Sequence, residues 1–410
     1  MNKEVVVIIC PDVLKKPYFY EAIKKRNYDI AVVAKGYKGD KADYILNIDY
    51  KNLDIVVSEL VKFREKHKIA MIFSVSEFGI EVAAAASEIL GIPYGSSYAA
   101  VKRARNKYLT RQFLREKNVA TPNFGIAKNN QEIKKLIKKI GLPVIIKPLN
   151  GAGACSVIQI NSIDEIEEKL ENVIANRGKM PVNDYRIDTT QEYWIVEEYL
   201  DGIEISVECC TFEGETKVIA IHDKYCDVCE PYFIEKTFVT PSPRFTTEQI
   251  IEIECMAKEV LSAIGYDYGV AHVEMKVTSN GPRLLEINAR VGGGLNMESV
   301  LYSTGINILE LLLDIRRGIK PNINVTHRNN VAFTMIPVVE GIVKKISGFE
   351  EALEVDHISL AQPYLEVGEE VKARQANYGG FILAKGGDTS TLLEKLKVAE
   401  QKVEFEIEKV

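Results

Sequence analysis

Gly269-Val-Ala-His272-Val-Glu274-Met-Lys276-Val277 and, one turn later, Arg283-Leu-Leu-Glu286-Ile-Asn288-Ala-Arg290 decide how this 410-residue chain is read. Ser279-Asn-Gly281 between them has the chemistry of a tight turn, so the pair is expected to form a β-hairpin. Alternate side chains of a strand share one face. His272, Glu274 and Lys276 therefore project together from the first strand, and Glu286, Asn288 and Arg290 from the second. Val273, Met275, Leu285, Ile287 and Ala289 fit a buried opposite face. Charged side chains are rarely buried unless paired or on a metal, so a face that gathers cations, two carboxylates and an amide calls for an ionic ligand. Glu274, Glu286 and Asn288 offer hard oxygen donors that suit Mg2+, or Mn2+ in its place, with positions left open for phosphates. The fixed fork of Arg290 suits a developing negative oxygen, and Gly292-Gly293-Gly294 allows close backbone approach. The other reading of the same residues is an exposed hairpin carrying a cross-strand salt-bridge ladder.

Working upstream, Val144-Ile-Ile-Lys147-Pro148 reads as a strand closed by proline, followed by the small-residue loop Asn150-Gly151-Ala152-Gly153-Ala-Cys-Ser156. Lys147 at the strand end is a candidate phosphate ligand, and the amides of Gly151 to Ser156 could close over a triphosphate. Glu197-Glu198-Tyr199-Leu200-Asp-Gly-Ile-Glu204 reads as strand, turn and strand, in which backbone groups could meet an adenine edge and Glu204 ribose hydroxyls. Each feature alone has a plain alternative: a glycine-containing hairpin loop, or solvated carboxylates at a turn.

Length and composition set the frame. A chain of 410 residues exceeds the size at which one core keeps growing, so two to four domains are expected. Hydrophobic content of 46%, charged content of 27% and 14 prolines describe a compact globular protein. A net charge of -6 and a pI near 5.7 give no basic field for nucleic acid or an anionic membrane. The apolar run Val5 to Cys10 is too short for a signal or a membrane span and reads as a first buried strand. Seven irregularly spaced cysteines argue against a disulfide framework and for the cytoplasm, and Cys226-Asp-Val-Cys229 has no matching second pair.

The first hundred residues alternate aliphatic strands (Val5 to Ile9, Ile30 to Ala34, Met71 to Ser74) with helical stretches (Leu53 to Lys66, Glu81 to Leu90), the rhythm of a parallel αβ layer without a G-x-G-x-x-G fingerprint. Ala99 to Lys117 is expected as one basic helix. Thr246 to Ile264 is another helix, and a smaller αβ unit runs from about Val325 to the end. Ser74-Val-Ser-Glu77-Phe-Gly79 closes a strand where ligands of αβ sheets commonly sit. Glu77 is a candidate for a substrate α-amino group, the alternative being helix capping by Ser74 or Ser76.

In this order and spacing, Lys107, Val-Ile-Ile-Lys147-Pro, the small-residue loop, Glu197 to Glu204 and the acidic hairpin ending at Arg290 resemble the ATP-grasp superfamily over about residues 100 to 309. The resemblance implies an α/β protein, α+β in its nucleotide-binding part. A Rossmann-like domain would span 1–99, a catalytic domain 100–324 with a mobile lid at about 125–203, and a small α+β cap 325–410. It also implies ATP held by Lys107, Lys147, the 151–156 loop, Glu197 to Leu200 and Glu204, with Mg2+ on Glu274, Glu286 and Asn288. Arg290 would stabilise an acyl-phosphate and the tetrahedral species formed from it. Gly269 to Glu274 and Glu286 to Gly293 look most like bacterial L-amino acid ligases, which join two amino acids, so small carboxylate and amine substrates are implied. A biotin-carboxylase-like or purine-pathway enzyme on the same fold is the alternative. His272 could touch phosphate or substrate, or be a structural histidine. Lys224 or His222 could act near the acceptor, and Gly293 and Gly294 are candidate substrate contacts. A homodimer is the general prior for an oligomer.

Overall fold

The structure, a computed structural model, describes residues 3–11, 16–150, 156–179, 193–229, 232–326, 328–372 and 377–409. The first unit comprises β1 (Val5–Ile9), α1 (Pro17–Lys25), β2 (Asp29–Val33), β3 (Tyr44–Leu46), α2 (Leu53–Arg64), β4 (Ile69–Phe73) and α3 (Ile80–Ile89). All five residues of β1 are buried, as a central parallel strand covered on both faces requires, and the sheet order is β3-β2-β1-β4. The expected parallel layer is therefore present.

The segment expected as one helix after it is two, α4 (Tyr98–Arg105) and α5 (Lys107–Glu116). Asn106 between them has extended backbone at φ -98° and ψ 107°, and its side chain accepts from the Leu109 amide at 3.1 Å. Asparagine competes with the backbone in this way and so interrupts helices where it caps them. The break makes Lys107 the first residue of α5, where its backbone N–H donates to the Leu149 carbonyl at 3.0 Å.

A small antiparallel sheet follows, built from β5 (Phe124–Ala127), β6 (Val144–Pro148), β7 (Ile158–Ile160) and β8 (Trp194–Glu198) in the order β5-β8-β6-β7. The helices α6 (Asn130–Ile140) and α7 (Ile166–Lys179) belong to this unit, and Ile133, Ile137, Ile166 and Leu170 join its core.

The remaining strands of the middle unit are β9 (Ile203–Phe212), β10 (Glu215–Cys229), β11 (Tyr232–Thr240), β12 (Gly269–Thr278) and β13 (Gly281–Asn288), with α8 (Thr247–Ala263), α9 (Asn296–Thr304) and α10 (Ile308–Ile315). The C-terminal unit adds β14 (Val331–Pro337), β15 (Gly341–Ser347), α11 (Phe349–Leu353), β16 (Ile358–Pro363), β17 (Glu370–Val371), β18 (Tyr378–Lys385), α12 (Thr389–Glu400) and β19 (Glu404–Glu408). One eight-stranded sheet, β13-β12-β9-β10-β11-β14-β18-β16, runs through both units because β14 pairs antiparallel with β11. Phe238 and Phe333 stack across that junction at 4.6 Å between ring centres. Among the described residues no helix is long and apolar enough to cross a membrane.

Candidate active site

The hairpin of β12 and β13 forms with His272 opposite Asn288 and Glu274 opposite Glu286. The register then shifts, so that Met275 faces Leu284 and Leu285 is the extra residue of a bulge. This corrects one expectation: fully buried Leu284, not half-buried Leu285, supplies the core side chain. The bulge turns the Leu285 carbonyl to Arg111, whose Nη2 donates to it at 2.9 Å.

Two carboxylates directly opposite one another repel unless cations intervene. Here they do. Lys107 Nζ lies 2.9 Å from Glu286, Lys224 Nζ lies 3.0 Å from Glu274, and His272 Nε2 lies 3.3 Å from Glu274. Burial pushes the Glu274 carboxyl up, but Lys224 and His272 outweigh it and hold it well below the usual range. The Asn288 amide donates to Glu286 at 3.2 Å and its oxygen accepts from Arg290 Nη2 at 3.3 Å. The expected metal set is thus brought to one end of the sheet, with both carboxylates partly exposed.

Lys224, on β10, is buried and meets three carboxylates: Glu204 at 3.2 Å, Glu274 at 3.0 Å and Glu235 in direct contact. One ligand oxygen from each of these carboxylates lies within 4.8 Å of the others. Glu204, expected at a ribose, therefore sits beside the metal-side carboxylate through a shared ammonium. Burial works against the charged lysine, but the carboxylates hold its pKa well above the ordinary value.

Lys147 and Glu197, expected at phosphate and adenine respectively, form a buried pair at 2.6 Å. Arg111 completes it, with Nε 2.8 Å and Nη2 3.3 Å from the Glu197 oxygens. Burial alone would raise the Glu197 carboxyl, but Arg111 and Lys147 bring it down to about 2. Glu198 accepts from the amide and side chain of Asn123, and Lys276 lies over the Tyr199 ring at 5.1 Å from its centre.

Arg290 is held at all three of its guanidinium nitrogens. Its Nε donates to Glu77 at 2.6 Å, Nη1 to the Val291 carbonyl at 2.8 Å and Nη2 to Asn288. Glu77 is buried and also receives Arg105 Nη1 at 2.6 Å. Burial pushes the Glu77 carboxyl up, and Arg290 and Arg105 outweigh it. The capping alternative for this segment is not realised: α3 starts after Gly79 with no side-chain cap.

Behind this layer, His272 Nδ1 meets Glu208 at 2.5 Å, and the Gly292 amide donates to Glu208 at 3.4 Å. A Cβ on Gly292 would come within 2.4 Å of Glu208 Oε1 and 2.8 Å of His272 Nδ1, so glycine is needed for this approach. Burial alone would lower the pKa of His272, but Glu208 and Glu274 raise it to about 9, so the ring is an imidazolium. The Gly293 carbonyl accepts from the Asn296 side chain at 2.9 Å, and the Gly294 carbonyl from Lys16 Nζ at 3.2 Å. Ser156, past the small-residue loop, is buried with φ 63°. Gly151, Ala152 and Gly153 lie outside the described residues. Cys226 and Cys229 lie on β10, opposite Glu235 and Tyr232 of β11.

Four charged residues were missed in the sequence. Arg111 lies four positions after Lys107 on one face of α5, and Glu208 alternates with Ser206 and Glu204 in an otherwise apolar strand; both spacings carried the signal. Arg105 and Glu235 carried none, because their roles depend on tertiary register.

Residues 140–298 match the ATP-grasp domain family, and residues 334–408 match the L-amino acid ligase C-terminal domain 2. The alanine–anticapsin ligase of Bacillus subtilis is 27% identical over 275 residues, covering 63% of this chain and 56% of that enzyme. The phosphoribosylamine–glycine ligase of Pyrococcus horikoshii is 28% identical over 292 residues, covering 64% and 61%. The chain thus spans somewhat over half the length of these two relatives. The crystal structure of an L-amino acid ligase from Bacillus licheniformis superposes with a TM-score of 0.84 over 100% of both chains at 20% identity, which fixes the shared fold. The chain therefore carries an ATP-grasp domain joined to an L-amino acid ligase C-terminal domain, and it is similar to ligases that include the alanine–anticapsin and phosphoribosylamine–glycine enzymes.

Proposed function

We propose that the protein uses ATP to activate a carboxylate as an acyl-phosphate and joins it to an amine, both substrates being amino acids. The observation that carries this reading is the opposed pair Glu274 and Glu286 beside Asn288, bordered by Lys107 at 2.9 Å and continued by Arg290. The donor set fits Mg2+, since two partly exposed carboxylates and an amide oxygen are hard ligands and the carboxylates already attract cations. Glu274, Glu286 and Asn288 would hold the ion, which when bound offsets phosphate charge.

In the first step an oxygen of the substrate carboxylate attacks the γ-phosphorus and ADP departs. In the second the amine nitrogen attacks the acyl carbon, phosphate leaves, and the nitrogen loses a proton to give the amide. Lys107 and Lys147 would neutralise phosphate oxygens, and Arg290 would donate to the oxygen on which charge develops. The alanine–anticapsin relative and the L-amino acid ligase C-terminal domain support amino acids on both sides.

The test is a panel of amino acids with Mg-ATP, followed by ADP, phosphate and product mass. ADP release that requires two amino acids and yields a dipeptide is expected. Turnover that depends on bicarbonate or a phosphoribosylamine would favour the purine-pathway alternative, which the phosphoribosylamine–glycine relative keeps in view.

A further inference from the structure

We propose that Glu77 is a positioning residue through which the N-terminal αβ layer sets the plane of the Arg290 guanidinium, and that it does not bind the substrate amine directly. The inference rests on the ligase reading above. A guanidinium has five N–H donors in one rigid plane. In Arg290 three are committed: Nε to Glu77, Nη1 to the Val291 carbonyl and Nη2 to Asn288. These three anchors define the plane and leave one N–H on each terminal nitrogen for a substrate oxygen.

The Asn288 anchor comes from the last residue of β13 and the Val291 anchor from the residue after Arg290. Among the described residues, only Glu77 reaches it from another unit, across 213 positions of sequence. The Glu77 carboxylate is itself held, because its second oxygen receives Arg105 Nη1 at 2.6 Å from the last residue of α4. Arg105 in turn lies 3.4 Å from Glu81 at the start of α3. The chain of contacts therefore runs from α3 through Arg105 and Glu77 to Arg290, with Glu77 7% exposed. Both oxygens of the Glu77 carboxylate already accept from guanidinium N–H groups, Oε1 from Arg105 and Oε2 from Arg290. That argues against Glu77 as a direct holder of an α-amino group.

The test compares the full-length wild type with Glu77→Gln, Glu77→Asp and Arg290→Lys, alone and with Glu77→Gln combined with Arg290→Lys. A misplaced catalytic group costs on the order of 10²-fold in rate, so Glu77→Gln should lower kcat by about that factor while KM for ATP and both amino acids moves by less than about threefold. The double variant should be no slower than Arg290→Lys alone, because both changes break one unit. Glu77→Asp, which keeps the charge, should recover part of the loss. A rise in KM for one amino acid with kcat retained, absent for an analogue without the α-amino group, would overturn the proposal and return Glu77 to direct substrate binding. If wild-type ATP turnover needs no amino acid, the ligase reading fails. The pairing is then judged on thermal melting of wild type, Glu77→Gln, Arg290→Lys and the double variant, where additive losses would contradict it and non-additive losses support it.

Discussion

His272 shows how a single residue in this site is fixed by its neighbours and not by its own chemistry. Its ring is held between Glu208 at 2.5 Å and Glu274 at 3.3 Å, and the charged form is favoured up to about pH 9. A proton donor or acceptor that worked near neutrality would need a value closer to 7. The ring ties Glu274, through Glu208, to the Gly292 backbone. Because the folded value lies above the ordinary 6.5, the pairing contributes fully below pH 6.5 and is lost as the pH rises through about 9. In metal-free buffer the stability advantage of wild type over His272→Gln should therefore be largest near pH 6 and shrink by roughly 3 kcal/mol by pH 10. Thermal melts of the two proteins at a series of pH values read this directly, and an advantage that is flat with pH would contradict it.

At the scale of elements, two local irregularities do much of the positioning, and the sequence showed them unequally. The Asn106 break that starts α5 at Lys107 uses an ordinary capping residue, yet Ala99 to Lys117 is periodic enough to read as one helix. The Leu285 bulge left no trace, because a strict alternation from Glu286 backwards assigns Leu285 to the core and either leucine would serve there. What selects Leu284 is Arg111, which spans the Glu197 carboxylate and the Leu285 carbonyl from a position 1% exposed. Removing one partner of such a buried network leaves the others unpaired and typically costs about 3–5 kcal/mol. Arg111→Met should lower the unfolding free energy by about that amount in urea titration, and Arg111→Met with Glu197→Gln should lose less than the sum of the two single changes. An exposed, weakly held Arg111 would instead give a change under about 1 kcal/mol.

For the whole molecule, the parallel N-terminal layer, the acidic hairpin and the strand, turn and strand of Glu197 to Glu204 were all legible, because period-2 alternation and turn residues are local signals. The sharing of one sheet between the middle and C-terminal units was not, since the β11–β14 pairing joins segments about ninety residues apart and nothing in either strand names its partner. The same limit hid Glu235, which reaches Lys224 only through the β10–β11 register. Two units bring their charges together, Glu77 from the first and Lys107, Lys147 and Glu274 from the second, while the third extends the same sheet through β14 beside β11. That convergence supports the proposed activation of a carboxylate on ATP followed by attack of an amine. The most direct measurement is transfer of label from a substrate amino acid carrying 18O in its carboxylate. An acyl-phosphate route places one 18O in the released inorganic phosphate alongside ADP, whereas 18O found in AMP, or unlabelled phosphate during dipeptide formation, would contradict it.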